Sequence, residues 1–226
     1  MSIAPTTARG ERTRAKLLAA AETVFSRHGY AEASITKITE EAGVAQGTFY
    51  LYFASKLEIF EELVEDLNRR VRHAMTEAAA GAADRIEAER AGFRAFFAFT
   101  AEHPALYRIV REAELVSPRS LRLHYTRIVE GYIQALTAAR GAGEIGDVDP
   151  TVAAWALMGV GEMIGMRWVL WGDQGVDRAD AVGDGADPFA SGTQAVPEEV
   201  FEQMMRFISG ALRPGGPRTD DREVGA

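Results

Sequence analysis

Apolar positions along the chain recur at three- and four-residue steps, and from Asp84 onward no segment alternates in the two-residue manner of a strand. Leu17, Ala20, Ala21, Val24, Phe25 and His28 predict a helix over 13–28, stopped by Gly29. Ile35, Ile38 and Ala42 predict a second, with Ser34 as its N-cap and Gly43 at its end. Phe49 and Phe53 restart the pattern over 46–53 after a bend of only three or four residues. Two short helices joined so tightly at a glycine make a helix-turn-helix over 34–53.

The remaining elements follow from their start signals. Ser55-Lys56-Leu57-Glu58 is a capping box opening a long helix over 55–79, striped by Leu57, Phe60, Leu63, Val64, Leu67 and Val71. Asp84 and Glu87 open a helix over 85–102 that carries Phe93, Phe96, Phe97 and Phe99. Pro104 at a first helical position opens 104–116, and Ser117-Pro118 opens one reaching Arg140. Asp149-Pro150 precedes the most apolar stretch, 151–171, and Pro197 begins a last amphipathic helix through Leu212. Residues 1–8 and the tail 214–226 are expected to be disordered, and the Gly, Asp and Ala run 172–196 a mobile loop.

Burying Phe49 and Phe53 at i and i+4 turns Gln46, Gly47, Thr48, Tyr50 and Tyr52 toward something outside. Ser34, Thr36 and Lys37 occupy a helix start whose backbone N–H groups point outward, and Lys56 sits at another. Tyr50 and Tyr52 are open to a second reading, as partly buried staples of the N-terminal unit. Charge changes the picture through its distribution. The formal net charge is -8, yet residues 1–56 carry seven Lys and Arg against five Glu, while the other 170 hold 18 basic and 28 acidic groups. A mildly basic end on an acidic body suits docking on phosphates by that end alone.

Composition removes other classes. Without cysteine there is neither a disulfide framework nor a thiolate metal site, and the four histidines form no i, i+4 pair, so no metal or cofactor is expected. The basic start has no apolar signal region, which makes the cytoplasm the expected location. Stretch 151–171 is long enough to cross a membrane, but Glu162 and Arg167 inside it would each cost about 2.5–3.5 kcal/mol at the bilayer centre. It is expected instead to be buried against a second copy, with Gly159, Gly161 and Gly165 permitting close helix approach. There is no Gly-rich phosphate loop, no G-x-S-x-G and no HExxH, so the chain does not look like an enzyme.

Residues 13–60, with HGY, IT..AGV.QGTFY.YF and SK at their spacing, closely resemble the DNA-binding domain of the tetracycline-repressor (TetR) family. HPALYR and DP..AAWALMG are similar to segments of its ligand domains. Two positions depart from the family pattern: Ala45 replaces the usual capping Ser, worth about 1 kcal/mol, and Thr39 replaces a small Ala.

The resemblance implies an all-α homodimer. A three-helix DNA-binding domain over 11–71 would precede a helical effector-binding and dimerisation domain over 72–213, with the copies joined through helices eight and nine, the helix over 151–171 and the last one. It places Ser34, Thr36, Lys37, Gln46, Gly47, Thr48, Tyr50, Tyr52 and Lys56 on operator DNA, a chemistry these side chains support: Gln pairs with adenine, Thr meets a base or methyl, Tyr and Lys reach phosphates. It implies a repressor released when a small molecule binds the body, some relatives of similar body sequence being acyl-CoA sensors. Candidate pocket residues are Phe96, Tyr107, Arg108, Arg111, Tyr125, Trp155, Met158, Glu162 and Met163; Phe96, Trp155, Met158 and Met163 read more readily as core, and Glu162, Arg108 and Arg111 are favoured because buried charges need partners. An aromatic and Met-rich interior with a few Arg suggests an apolar molecule carrying an acidic group as effector, and the resemblance implies acyl-CoA as one such molecule. The rival reading, a helical protein-interaction scaffold without DNA binding, leaves the face around Tyr50 without a purpose.

Overall fold

The computed structural model describes residues 7–171 and 195–214. The expectations for the extreme N-terminus, the 172–196 run and the C-terminal tail fall, but for their edges, outside the described residues. Among those described, the secondary structure is all helical: α1 (Ala8–Glu32), α2 (Ile35–Ala42), α3 (Gln46–Phe49), α4 (Lys56–Ala79), α5 (Arg85–Glu102), α6 (Ala105–Val116), α7 (Pro118–Gly141), α8 (Pro150–Gly165) with a π-helical turn Met166–Leu170, and α9 (Glu198–Leu212).

Start signals act where three-residue bonds can form. Ser34, Ser55, Asp84, Ser117 and Asp149 each accept from the backbone N–H three residues on. Ala45 makes no such bond, in keeping with the missing Ser. The capping box closes differently at its return arm, since the Glu58 carboxylate takes the N–H of Ala54. Four expectations need correction. α1 begins five residues early because Thr7 caps it, its hydroxyl accepting from Gly10 N at 3.2 Å. α3 is one turn, with Tyr50 to Tyr52 in turns beyond it, because Phe49 already anchors it. His28 and Leu57 lie exposed; Tyr30 and Ile59 fill the places the periodicity gave them. Pro104 is the N-cap of α6 rather than its first residue.

Two cores result. The first joins α1, α2, α3 and most of α4 around Leu17, Phe25, Ile38, Phe49, Phe53 and Phe60, and also takes in Leu106, Ile109 and Ala113 of α6. The second packs α5, α7, α8 and α9 around Phe93, Leu136, Leu157, Phe201 and Met205. α4, about 36 Å long at 1.5 Å per residue, packs on the first core and lies against α5 and α7. Gly161 and Gly165, expected to admit a second copy, point inward instead: a Cβ on them would stand 2.9 Å from Phe93 and 2.1 Å from the Tyr107 hydroxyl. Only Gly159 opens outward.

Candidate functional site

The N-terminal face is built on buried phenylalanines. Phe49 and Phe53 are sealed in the first core with ring centroids 5.6 Å apart, which leaves Gln46, Gly47 and Tyr50 exposed and Thr48 half-buried. Tyr50 is 55% exposed and stands edge-on to Phe49, while Tyr52 packs partly against the core. Leu51, 67% exposed beside Tyr50, was not singled out from the sequence, where its apolar character suggested nothing outward. A Cβ built on Gly47 meets no protein atom within 4 Å, so the space over that backbone belongs to the outside.

The neighbouring helix start adds Ser34, whose hydroxyl accepts from Lys37 N at 3.1 Å, the exposed Thr36, and Lys37, whose ammonium donates to Glu32 O at 2.9 Å. Lys56 has a role in the fold that its sequence position did not suggest. Its ammonium donates to the carbonyls of Tyr30 (2.7 Å) and Ala33 (2.8 Å) and lies 4.3 Å from the Tyr30 ring centroid, tying α4 to the end of α1.

In the body, an apolar cavity lies among α4 to α8, lined by Phe93, Phe96, Tyr107, Tyr125, Met158 and Glu162 among others. Of the nine expected pocket residues, Phe96, Tyr107, Tyr125, Met158 and Glu162 line it. Arg108 does not: its Nη1 donates to Ser26 O at 2.8 Å, and Glu112, one turn on, accepts from Tyr30 N at 2.9 Å, so both hold the end of α1. Arg111 is exposed with its Nη1 2.8 Å from the Met166 sulfur. Trp155 and Met163 face outward from α8, 49% and 54% exposed, because the inner side of that helix is taken by Ala154, Leu157 and Gly161.

The polar groups of the cavity are few and bonded. Tyr125 donates to Glu162 Oε1 at 3.0 Å, and Tyr107 donates weakly to Glu162 O at 3.4 Å; burial, reinforced by Glu162, raises both phenols above their ordinary range. His124, one of the four histidines without an i, i+4 partner, is buried there. Burial, then the charge of Arg72, pushes it down to about 4, so it is a neutral ring at pH 7. Asn68 of α4 donates to His124 O at 2.9 Å and lies 3.2 Å from its Nδ1, while Arg72 donates to Asn68 Oδ1 at 2.9 Å. The cavity wall is thus bonded to the long helix. No cluster of metal-ligating side chains occurs among the described residues, and no helix among them is long and apolar enough to cross a membrane.

The family of bacterial regulatory proteins, tetR family, matches residues 17–63. Over 148 residues the chain is 30% identical to the HTH-type transcriptional regulator EthR of Mycolicibacterium smegmatis, covering 63% of this chain and 68% of that one. Over 64 residues it is 45% identical to YdgC, an uncharacterized HTH-type transcriptional regulator of Bacillus subtilis, covering 28% of this chain and only 33% of that protein. The structure of the transcriptional regulator FadR from Bacillus subtilis, in complex with stearoyl-CoA, superimposes with a TM-score of 0.67 at 20% identity, over 88% of this chain and 99% of that one.

Proposed function

Because the chain belongs to the tetR family of bacterial regulatory proteins, and so is a DNA-binding transcriptional regulator rather than an enzyme, we propose that it represses from an operator and is released by a small apolar effector in the body cavity. The observation that carries this is one continuous packing path: the outward face of Gln46, Gly47, Thr48 and Tyr50 stands on a core that includes α6 and α4, and both of those helices also line the cavity. On DNA, Gln46 and Thr48 would meet base edges in the major groove. Ser34, Thr36, Lys37, Tyr50 and Tyr52 would meet phosphates, and Lys56 would act chiefly by holding α4 against α1.

The effector acts by opening the body. In this conformation the cavity holds about 60 Å³, against roughly 300–1,000 Å³ for ordinary ligand pockets. A ligand must therefore spread the lining helices, and it favours whichever state has them spread. α4 carries Met75 on the cavity and Asn68 on His124, so its spreading tilts the DNA-reading unit. Two such units about 34 Å apart fit one turn of duplex only at one tilt.

The second copy would dock on α8 and α9. Val152, Trp155 and Met163 form one exposed stripe on α8, and Phe207, 67% exposed on α9, lies across a groove from it. That α8 and α9 carry the dimer is our inference from this patch and from the outward-facing Gly159. FadR from Bacillus subtilis was solved with stearoyl-CoA, which supports an acyl-CoA or a related apolar acid as the effector class.

The decisive experiment is operator binding followed by fluorescence anisotropy at several salt concentrations. Wild-type affinity should fall steeply with salt, and Tyr50→Ala should weaken it about tenfold or more with the fold intact. Duplex binding that is salt-insensitive and indifferent to Tyr50→Ala would leave the scaffold reading standing.

A further inference from the structure

The body cavity and the groove between α4, α5 and α7 share a wall. Met75, Ile128 and Tyr132 line both, so three side chains stand between the narrow apolar space and a wider cleft of about 520 Å³. The two compartments differ in charge. Among the described residues lining the cavity, the acidic and basic side chains are Glu162 and the neutral His124, with no cation. The groove is lined by Arg72 from α4, Arg85 from α5 and Arg127 from α7, with one carboxylate, Glu89.

These groups are only partly matched. Arg72 bonds the neutral Asn68 amide, so its charge has no counter-ion in that bond, and Arg127 pairs with Glu65 at 3.2 Å at the surface. Glu89 is 1% exposed and hydrogen-bonded to the Tyr132 hydroxyl, but its Oε1 accepts no hydrogen bond. Arg85 Nε lies 3.1 Å from that oxygen and is itself without a hydrogen-bond partner, because the two are close but misaligned.

We propose that this groove is the outer subsite of the effector, taking the anionic head of an amphiphile whose hydrocarbon part passes between Met75, Ile128 and Tyr132 into the cavity. The proposal rests on the effector reading above and assigns the two ends of the molecule. An acid drawn wholly inside would face Glu162 in apolar surroundings with no cation among the lining residues, a costly burial. A head held outside meets guanidinium forks suited to carboxylate and phosphate oxygens. Glu89 opposes an anion little, since burial pushes its carboxyl up to about 7 and leaves it half neutral near that pH. The shared wall also accounts for the small volume of the cavity: the side chains that would grip the chain of the ligand are the ones that fill its path.

The test is direct binding to the full chain, by titration calorimetry without DNA, of decyl phosphate, 1-decanol, decyltrimethylammonium and inorganic phosphate. Decyl phosphate should bind more tightly than 1-decanol. The double variant Arg72→Gln with Arg127→Gln should weaken it about tenfold or more and leave 1-decanol unchanged. Because Arg72 also bonds Asn68, the surface variant Arg127→Glu is measured alone and should weaken decyl phosphate in the same direction. Met75→Trp, which fills the passage, should weaken both decyl compounds. If 1-decanol binds but neither arginine variant alters decyl phosphate, or if decyltrimethylammonium binds more tightly than decyl phosphate, the outer subsite is wrong while the cavity reading survives. If none of the decyl compounds binds, both are wrong.

Discussion

Gly47 stands where a side chain would cost the fold nothing. Its Cβ would meet open space, and it lies in the exposed turn of α3 beside Gln46 and Thr48. The absence of a side chain there matters only to a partner that approaches the backbone. Gly47→Ala should therefore leave the unfolding midpoint unchanged or slightly higher and weaken operator binding about tenfold, as thermal unfolding and anisotropy on one preparation would show. Loss of stability without loss of binding would count against the DNA-facing assignment.

Two buried titratable groups make stability depend on pH from opposite sides. Glu89 has its folded value raised from 4.5 to about 7 by burial, with Arg85 and then Tyr132 pulling the other way. The folded state therefore binds this proton more tightly, and stability is lost as pH rises through the window from 4.5 to about 7. His124 has its folded value lowered from 6.5 to about 4 by burial and then by Arg72, so the unfolded state binds that proton better, and stability is lost as pH falls from 6.5 toward 4. Glu89→Gln should raise stability by on the order of 1–3 kcal/mol at pH 8 and by little at pH 4. Denaturant midpoints of wild type and variant across that range give the comparison, and equal differences at both ends would contradict it.

At the scale of the element, α6 has two working faces. Leu106, Tyr107 and Val110 line the cavity, while Arg108 and Glu112 hold the end of α1 through Ser26 O and Tyr30 N. The grip depends on Gly29, whose φ of 69° and ψ of 170° lie where other residues are strained, and whose Cβ would stand 2.5 Å from Glu112 Oε1. Gly29→Ala should cost about 1–3 kcal/mol. Glu112→Ala, which leaves the Tyr30 N–H without its acceptor, should reduce the factor by which an effector lowers operator affinity while leaving effector binding itself in place. Measuring both affinities with and without effector separates the two, and an unchanged factor would remove α6 from the coupling path. The expectation that Arg108 lines a pocket failed here for a plain reason: a charged residue on a half-buried helix needs a partner, and the pattern cannot say on which side the partner stands.

At the scale of the molecule, α8 and α9 leave apolar surface uncovered. The apolar residues of α8 surround it, but Val152, Trp155 and Met163 remain exposed and continue into Phe207 across the α8 and α9 groove. On the proposed α8 and α9 interface, Phe207→Asp should shift the sedimentation coefficient toward the monomer and weaken operator binding through loss of the second half-site contact, with helix content unchanged. A dimer that survives this substitution would place the interface elsewhere.

The sequence alone determined what is local. Helix starts at Ser34, Ser55, Asp84, Ser117 and Asp149 were legible because a cap bond spans three residues, and the outward face of Gln46, Gly47 and Tyr50 because Phe49 and Phe53 name the inward one. The tertiary structure decided what each buried face meets. It turned Gly161 and Gly165 onto Phe93 and Tyr107, sent Arg108 to α1 and Lys56 to the Tyr30 carbonyl, and brought His124 and Asn68 together across 56 positions. A helical stripe records that one side avoids water, which is a property of the chain near that residue; which neighbour covers it depends on how helices far apart in sequence pack, and no period along the chain carries that information.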